Sequence, residues 1–125
     1  MDRITAQHES EVIIKAIIKL SEKWSLSDEE AAGLLNVTSE SLALMRTGEF
    51  EGMLNEEQTA RASLLIGIYE RLRLLFSGPL TYGWPKMANA GAGYHGQSPV
   101  AIMLGGGIPA IMRISDHIEA MRHGH

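Results

Sequence analysis

Apolar residues recur along this chain at helical spacing, interrupted by short polar, glycine or proline breaks. Residues 9–24 set Val12, Ile13, Ala16, Ile17, Leu20 and Trp24 on one helical face. Lys15, Lys19 and Lys23 recur every four residues on another. In "SLSDEEAAGLLN", Ser27 with Glu30 three residues later is a capping-box signature. Acidic residues in that first turn suit the helix dipole, and Asn36 tolerates the left-handed backbone that ends a helix. "VTSESLALMRTG" predicts a third helix that opens at Thr38 and closes at Gly48. A fourth begins at Asn55, where Gln58 completes a second capping box. It runs through Ala62, Leu65, Ile68, Tyr69, Leu72 and Phe76 to the break at Gly78-Pro79. Residues 79–97 read as an ordered loop with one helical turn around 86–89. Ser98-Pro99 then starts a helix that ends at Gly105-Gly106-Gly107. The last helix begins near Pro109 and uses Ile111, Ile114, Ile118 and Met121. Nothing reads as a strand and no internal repeat is present, so the expected fold is all-α. It divides at the fourth helix into residues 1–54 and 55–125.

Composition narrows this picture. A chain of 125 residues with 45% hydrophobic content supports one globular domain, or two very small ones. It has no cysteine, which removes disulfides and thiolate metal sites. The N-terminal residues lack the apolar run of a signal peptide and no stretch is long enough to cross a bilayer, so the expected location is the cytoplasm. A net charge of −4 argues against a protein that coats nucleic acid.

Candidate chemistry is sparse. His117, His123 and His125 lie six and two residues apart without fixed acidic or thiolate partners, and are expected as solvent-exposed side chains, not as a zinc site. The glycine runs follow no strand and carry no P-loop lysine, so they read as hinges and close-packing sites. Asp116 and Glu119 read as a solvated face, and no nucleophile–base arrangement stands out. No catalytic residue, cofactor or metal is expected; the chain reads as a binding protein. Met103, Met112 and Met121 suit core filling, and also an adaptable partner surface. Arg61, within an apolar helix face, calls for an ion pair with Glu70 or with a carboxylate of another helix.

Across residues 26–48, Leu26, Ala31, Ala32, Leu35, Val37, Leu42 and Met45 are apolar where two helices joined by a tight turn must touch. This segment resembles the helix-turn-helix of Xre-type, phage-repressor-like proteins. The resemblance implies a recognition helix that would read the major groove through Thr38, Ser39, Glu40, Ala43 and Leu44, with Arg46 as a further DNA contact. Arg46 is the one basic residue there against Asp28, Glu29, Glu30 and Glu40, a balance that weakens attraction to phosphates.

From Asn55 onward the chain looks like the toxin-binding region of the Xre/MbcA/ParS antitoxins. The matching elements are Arg61 followed by "LLIGIYERLRLLF", then "YGW", Asn89, Gly96 with "SPVAIMLGGG", and a closing helix ending "EAMRHG". "MAN" stands where the family has a "PN" pair. With the helix-turn-helix, the resemblance runs from about Ala16 to Gly124. It implies an Xre-like helix-turn-helix bundle continuing into a small C-terminal helical toxin-binding region. The implied partner is a co-encoded RES-domain toxin that consumes NAD or ADP-ribosylates a protein, and whose active site the antitoxin covers. It further implies a homodimer within a hetero-oligomeric complex, and autoregulation through promoter DNA. The last helix would supply the contacts Ile111, Ile114, Ile118, Met121, Arg122, His123 and His125. An apolar patch of Leu44, Phe50, Met53 and Leu54 would support self-association. A stand-alone Xre-type repressor is the alternative reading.

Overall fold

A computed structural model describes residues 3–91 and 93–124, and every regular element in them is helical. The fold is all-α, with no strand among the described residues. No helix there is long and apolar enough to cross a membrane.

α1 (Arg3–Lys23) buries Ile17, Leu20 and the following Trp24 of the face that the sequence pattern marks, but Ile14 in place of Val12, which is 56% exposed, while Ile13 and Ala16 are half-buried. It begins six residues earlier than that pattern. Thr5 and His8 are exposed, so hydrophobic periodicity has nothing to report in that first stretch. Ser25 turns left-handed (φ 56°) to end the helix, and Leu26 N–H donates to the Ser21 carbonyl.

α2 (Asp28–Leu35) and α3 (Ser39–Thr47) form the expected tight pair. Glu30 N–H donates to Ser27 Oγ at 3.0 Å and Ser27 N–H donates to Glu30 Oε1 at 2.9 Å, which completes the capping box. Asn36 (φ 63°, ψ 49°) closes α2, and Gly48 (φ 79°) closes α3. Ala31, Ala32, Leu34, Leu35, Leu42 and Met45 are buried. Both α1 and α2 pack against α3.

α4 (Glu56–Leu75) starts on the second capping box: Gln58 N–H donates to Asn55 Oδ1 at 2.8 Å and Asn55 N–H to Gln58 Oε1 at 2.9 Å. Gln58 also donates to the Asn36 carbonyl, and Asn36 to Glu57 Oε1, which ties the first turn of α4 to the α2–α3 turn. The chain separates into two compact units, Met1–Ser63 and Leu64–His125, and the division falls inside α4.

In the second unit the helical turn expected at 86–89 lies earlier. α5 (Leu80–Gly83) leads directly into a 3-10 turn, Trp84–Lys86, after Gly78 (φ 78°) and Pro79. Pro79 is pre-set for a helix start, and Trp84 and Pro85 are buried. Asn89 instead closes the loop that follows. Its N–H donates to the Gln97 carbonyl, its own carbonyl accepts from Gly96 N–H, and its Oδ1 accepts from Gly91 N–H at 2.7 Å.

α6 (Pro99–Arg122) begins on Ser98, whose Oγ accepts from Ala101 N–H at 3.1 Å. It breaks at Gly107 (φ 64°, ψ −151°), where the sequence places its glycine hinge, and Pro109 follows in the first turn of the last segment. Gly106 is required for a different reason. A Cβ there would lie 2.5 Å from Ala110 Cβ.

Candidate functional site

In the first unit Thr38, Ser39, Glu40 and Ala43 are exposed on α3. Thr38 also serves the fold: its Oγ1 accepts from Ser41 N–H at 3.0 Å and donates to Ser41 Oγ at 3.1 Å. Arg46 is half-buried and bound to Asp28, Nε to Oδ1 at 2.5 Å, so the one base of this segment already has a carboxylate. Exposed Lys15 and Lys19 share with Arg46 a shallow groove of about 340 Å³ along α1 and the end of α3. Leu44 faces solvent at 44% exposure, as does Met53, while Phe50 and Leu54 are half-buried.

Arg61 finds neither Glu70 nor a carboxylate of another helix. Its Nε meets Glu57 Oε2, one turn earlier on α4, at 2.5 Å, and Nη1 points at the carbonyls of Leu34 (3.3 Å) and Gly33 (3.5 Å). A cation at the C-terminal carbonyls of α2 is favourable for the helix dipole, which the sequence spacing along α4 alone could not reveal. The hydrogen bond from Arg61, followed by that from Asn36, holds the Glu57 carboxyl below the usual glutamate range. Glu70 instead lies 3.7 Å from Arg73.

On the last helix Ile111, Ile114 and Ile118 are buried, at 0%, 3% and 0% exposure, and Met121 is half-buried. They therefore hold the helix on the chain's own core and are closed to a partner. Arg122 and His123 are exposed, and both turn back onto Glu119, at 3.2 Å and 3.0 Å. Arg71 Nε completes this hub 2.8 Å from Glu119 Oε2, and Arg71 Nη1 donates to Ser115 Oγ at 2.8 Å. His125 lies outside the described residues. His117 is half-buried, bonded through Nδ1 to the hydroxyl of Tyr94. No group of three metal-ligating side chains occurs among the described residues.

The hydrogen bond from His123 holds the Glu119 carboxyl below the usual glutamate range; burial opposes this, while Arg122 and Arg71 add to it. A depressed folded-state pKa gives a stabilisation that is full above the unfolded value and disappears as pH falls through the folded one. A carbon-detected NMR titration should show Glu119 protonating at lower pH than in the unfolded chain. His123→Ala should move that midpoint upward.

Two features escape the sequence patterns. Tyr94 is buried at 4% exposure in the loop closed by Asn89, with Trp84 edge-on to its ring at 6.4 Å and the His117 ring 5.2 Å away. Burial pushes its phenol above the ordinary tyrosine range, partly offset by Arg113. The second is a run of exposed, uncharged residues on both segments of α6. Ala101, Leu104, Gly105, Pro109 and Met112 are exposed there, beside a groove of about 350 Å³ bounded by Gly93, His95 and Arg113. Arg113 reaches the Gly93 carbonyl at 3.4 Å.

The chain matches no protein-family model, and no curated protein matches it.

Charge divides unevenly between the two units. Residues 1–63 carry six Lys/Arg against twelve Asp/Glu, a net −6; residues 64–125 carry five against three, a net +2. A negative first unit repels phosphates, and a mildly positive second unit favours carboxylates. Residues 87–112 contain no Asp, Glu, Lys or Arg at all. Exposed apolar residues such as Leu104 and Met112 in a stretch without charge are unusual where a surface meets only water.

Proposed function

We propose that this protein is a cytoplasmic antitoxin of a type II toxin–antitoxin system, acting by binding and not by catalysis. Its partner is a co-encoded RES-domain toxin, and inhibition comes from covering the toxin's active site. The reading starts from the resemblance of residues 16–124 to the Xre/MbcA/ParS antitoxins. The observation that carries it furthest is the run of exposed, uncharged residues in α6 before Arg113 (Ala101, Leu104, Gly105, Pro109 and Met112), exposure of the kind that partners cover. The α2–α3 pair would serve autoregulation. With Arg46 tied to Asp28 and the first unit at net −6, tight DNA binding would depend on an assembly that holds several such units together.

Co-expression with the RES-domain toxin encoded beside it should restore growth to cells that the toxin arrests, and the two chains should co-purify. Growth arrest that persists despite soluble antitoxin would refute the proposal. A stand-alone repressor is the second reading, favoured by the fully capped α2–α3 pair. It predicts tight operator binding by the chain alone and no neighbouring toxin gene.

A further inference from the structure

The apolar residues Phe50, Met53 and Leu54 do not form one patch. Phe50 folds back over Gly52, where an added Cβ would lie 2.7 Å from its ring, and it lines a groove with Ile14, Met45 and Gly48. Met53 and Leu54 line a different groove, of about 630 Å³, between the first half of α1 and the first turns of α4. Every residue lining it belongs to the first unit. Ala6 and Ile13 of α1, Ala60 of α4, and Met53 and Leu54 of the segment before α4 supply its apolar surface. The groove is already built. Leu54 N–H donates to the Oγ of buried Ser10 at 3.2 Å, which fixes that segment on α1, and Asn55 is held in its cap with Gln58. Met53 nevertheless stays 44% exposed, and Ile13 and Leu54 are only half-buried.

Charge narrows what can lie there. The charged residues lining the groove are Glu9 and Glu56, both exposed, and no Lys, Arg or His lines it. Neither carboxylate pairs with a cation among the described residues. Two copies meeting groove to groove would set these carboxylates against each other, in units of net −6. We propose that this α1–α4 groove receives an amphipathic helix of another protein, apolar on its inner face and carrying Lys or Arg toward Glu9 and Glu56. A helix enters such a groove with apolar side chains at spacings of three and four, and a flexible Met adapts to them. Glu9 comes from α1 and Glu56 from α4, so cations at both edges of the guest helix would fix its orientation. The inference does not depend on the antitoxin reading, since the groove shares no residue with the second unit.

The test titrates the isotope-labelled full-length chain with three synthetic helical peptides of equal length, built from Leu and Lys, from Ala and Lys, and from Leu and Glu. The Leu–Lys peptide should shift the amide signals of Ala6, Ile13, Met53 and Ala60. It should bind at least about tenfold more tightly than the other two, and more weakly as salt rises. Glu9→Lys combined with Glu56→Gln should weaken it by about tenfold, and Met53→Gln by about fivefold. Thermal melts of the free variants should stay close to wild type, because all three residues are exposed. Equal affinity for the Ala–Lys peptide would show charge acting alone, and equal affinity for the Leu–Glu peptide apolarity acting alone; either overturns the proposal. So does a Leu–Lys peptide that fails to bind, or that leaves the groove signals unmoved. A chain that dimerises by itself in sedimentation, and becomes monomeric with Met53→Gln, would reassign the groove to a second copy and overturn the foreign helix. None of these results touches rescue of growth by the chain, which tests the antitoxin reading separately.

Discussion

Ile118→Ala will lower the unfolding free energy by about 2–5 kcal/mol, while Met112→Ala, on the other side of the same helix, will change it by no more than about 0.5 kcal/mol. Ile118 is fully enclosed and Met112 is about half exposed, so only the first substitution empties a packed volume. Urea unfolding followed by circular dichroism measures both, and the isoleucine variant should shift its midpoint without a change of slope. The comparison separates two ways to lose a partner. Ile118→Ala would weaken a complex by melting the helix that presents its surface, and cooling should recover part of the loss. A substitution on the outer face would weaken it with the fold intact. Equal stability of Ile118→Ala and wild type would mean that the last helix is not anchored by its isoleucines.

Gly107→Ala will cost about 2–3 kcal/mol. At φ 64° and ψ −151° the backbone lies in a region that only glycine enters freely, because an L-side chain collides with its own carbonyl neighbours. D-alanine inverts this preference and should cost much less at the same position, which ligation of a synthetic C-terminal segment would allow. Similar losses from both enantiomers would show that space limits this position more than backbone angle. Where L-alanine straightens the break, the two halves of α6 would have to be continuous. Val100 and Met103 on one half, with Ile111 and Ile114 on the other, could then no longer all stay buried.

These two positions also mark the limits of sequence reading. Gly107 was legible because a run of glycines before a proline breaks a helix wherever it occurs. Ile118 was legible as an apolar position on the last helix, but not as an inward one. Residues 108–112 are apolar on every side, so periodicity could not say which side meets the core and which meets solvent. The assignment of Ile111, Ile114 and Ile118 to a partner fails for that reason, and Met112 takes their place on the outside. Arg61 gives the same lesson. Its need for a counter-charge followed from its surroundings, but Glu57 one turn earlier on α4 supplies it in place of Glu70, and the Gly33 and Leu34 carbonyls depended on how α2 approaches α4.

What the sequence determined by itself was the helix caps, which close within about three residues. Ser27 with Glu30, Asn55 with Gln58, Ser98 with Ala101 and the left-handed Asn36 and Gly48 are local bonds and local torsions, set by residue type and spacing alone. They placed the helices and their breaks. Tertiary structure decided the long-range meetings: Tyr94 with His117, Arg71 with Ser115 and Glu119, and Arg46 with Asp28. Each joins residues separated by 18 to 48 positions, whose approach depends on the packing of whole helices against one another. The same packing chose which side of α6 faces outward, and so which residues are available to a partner.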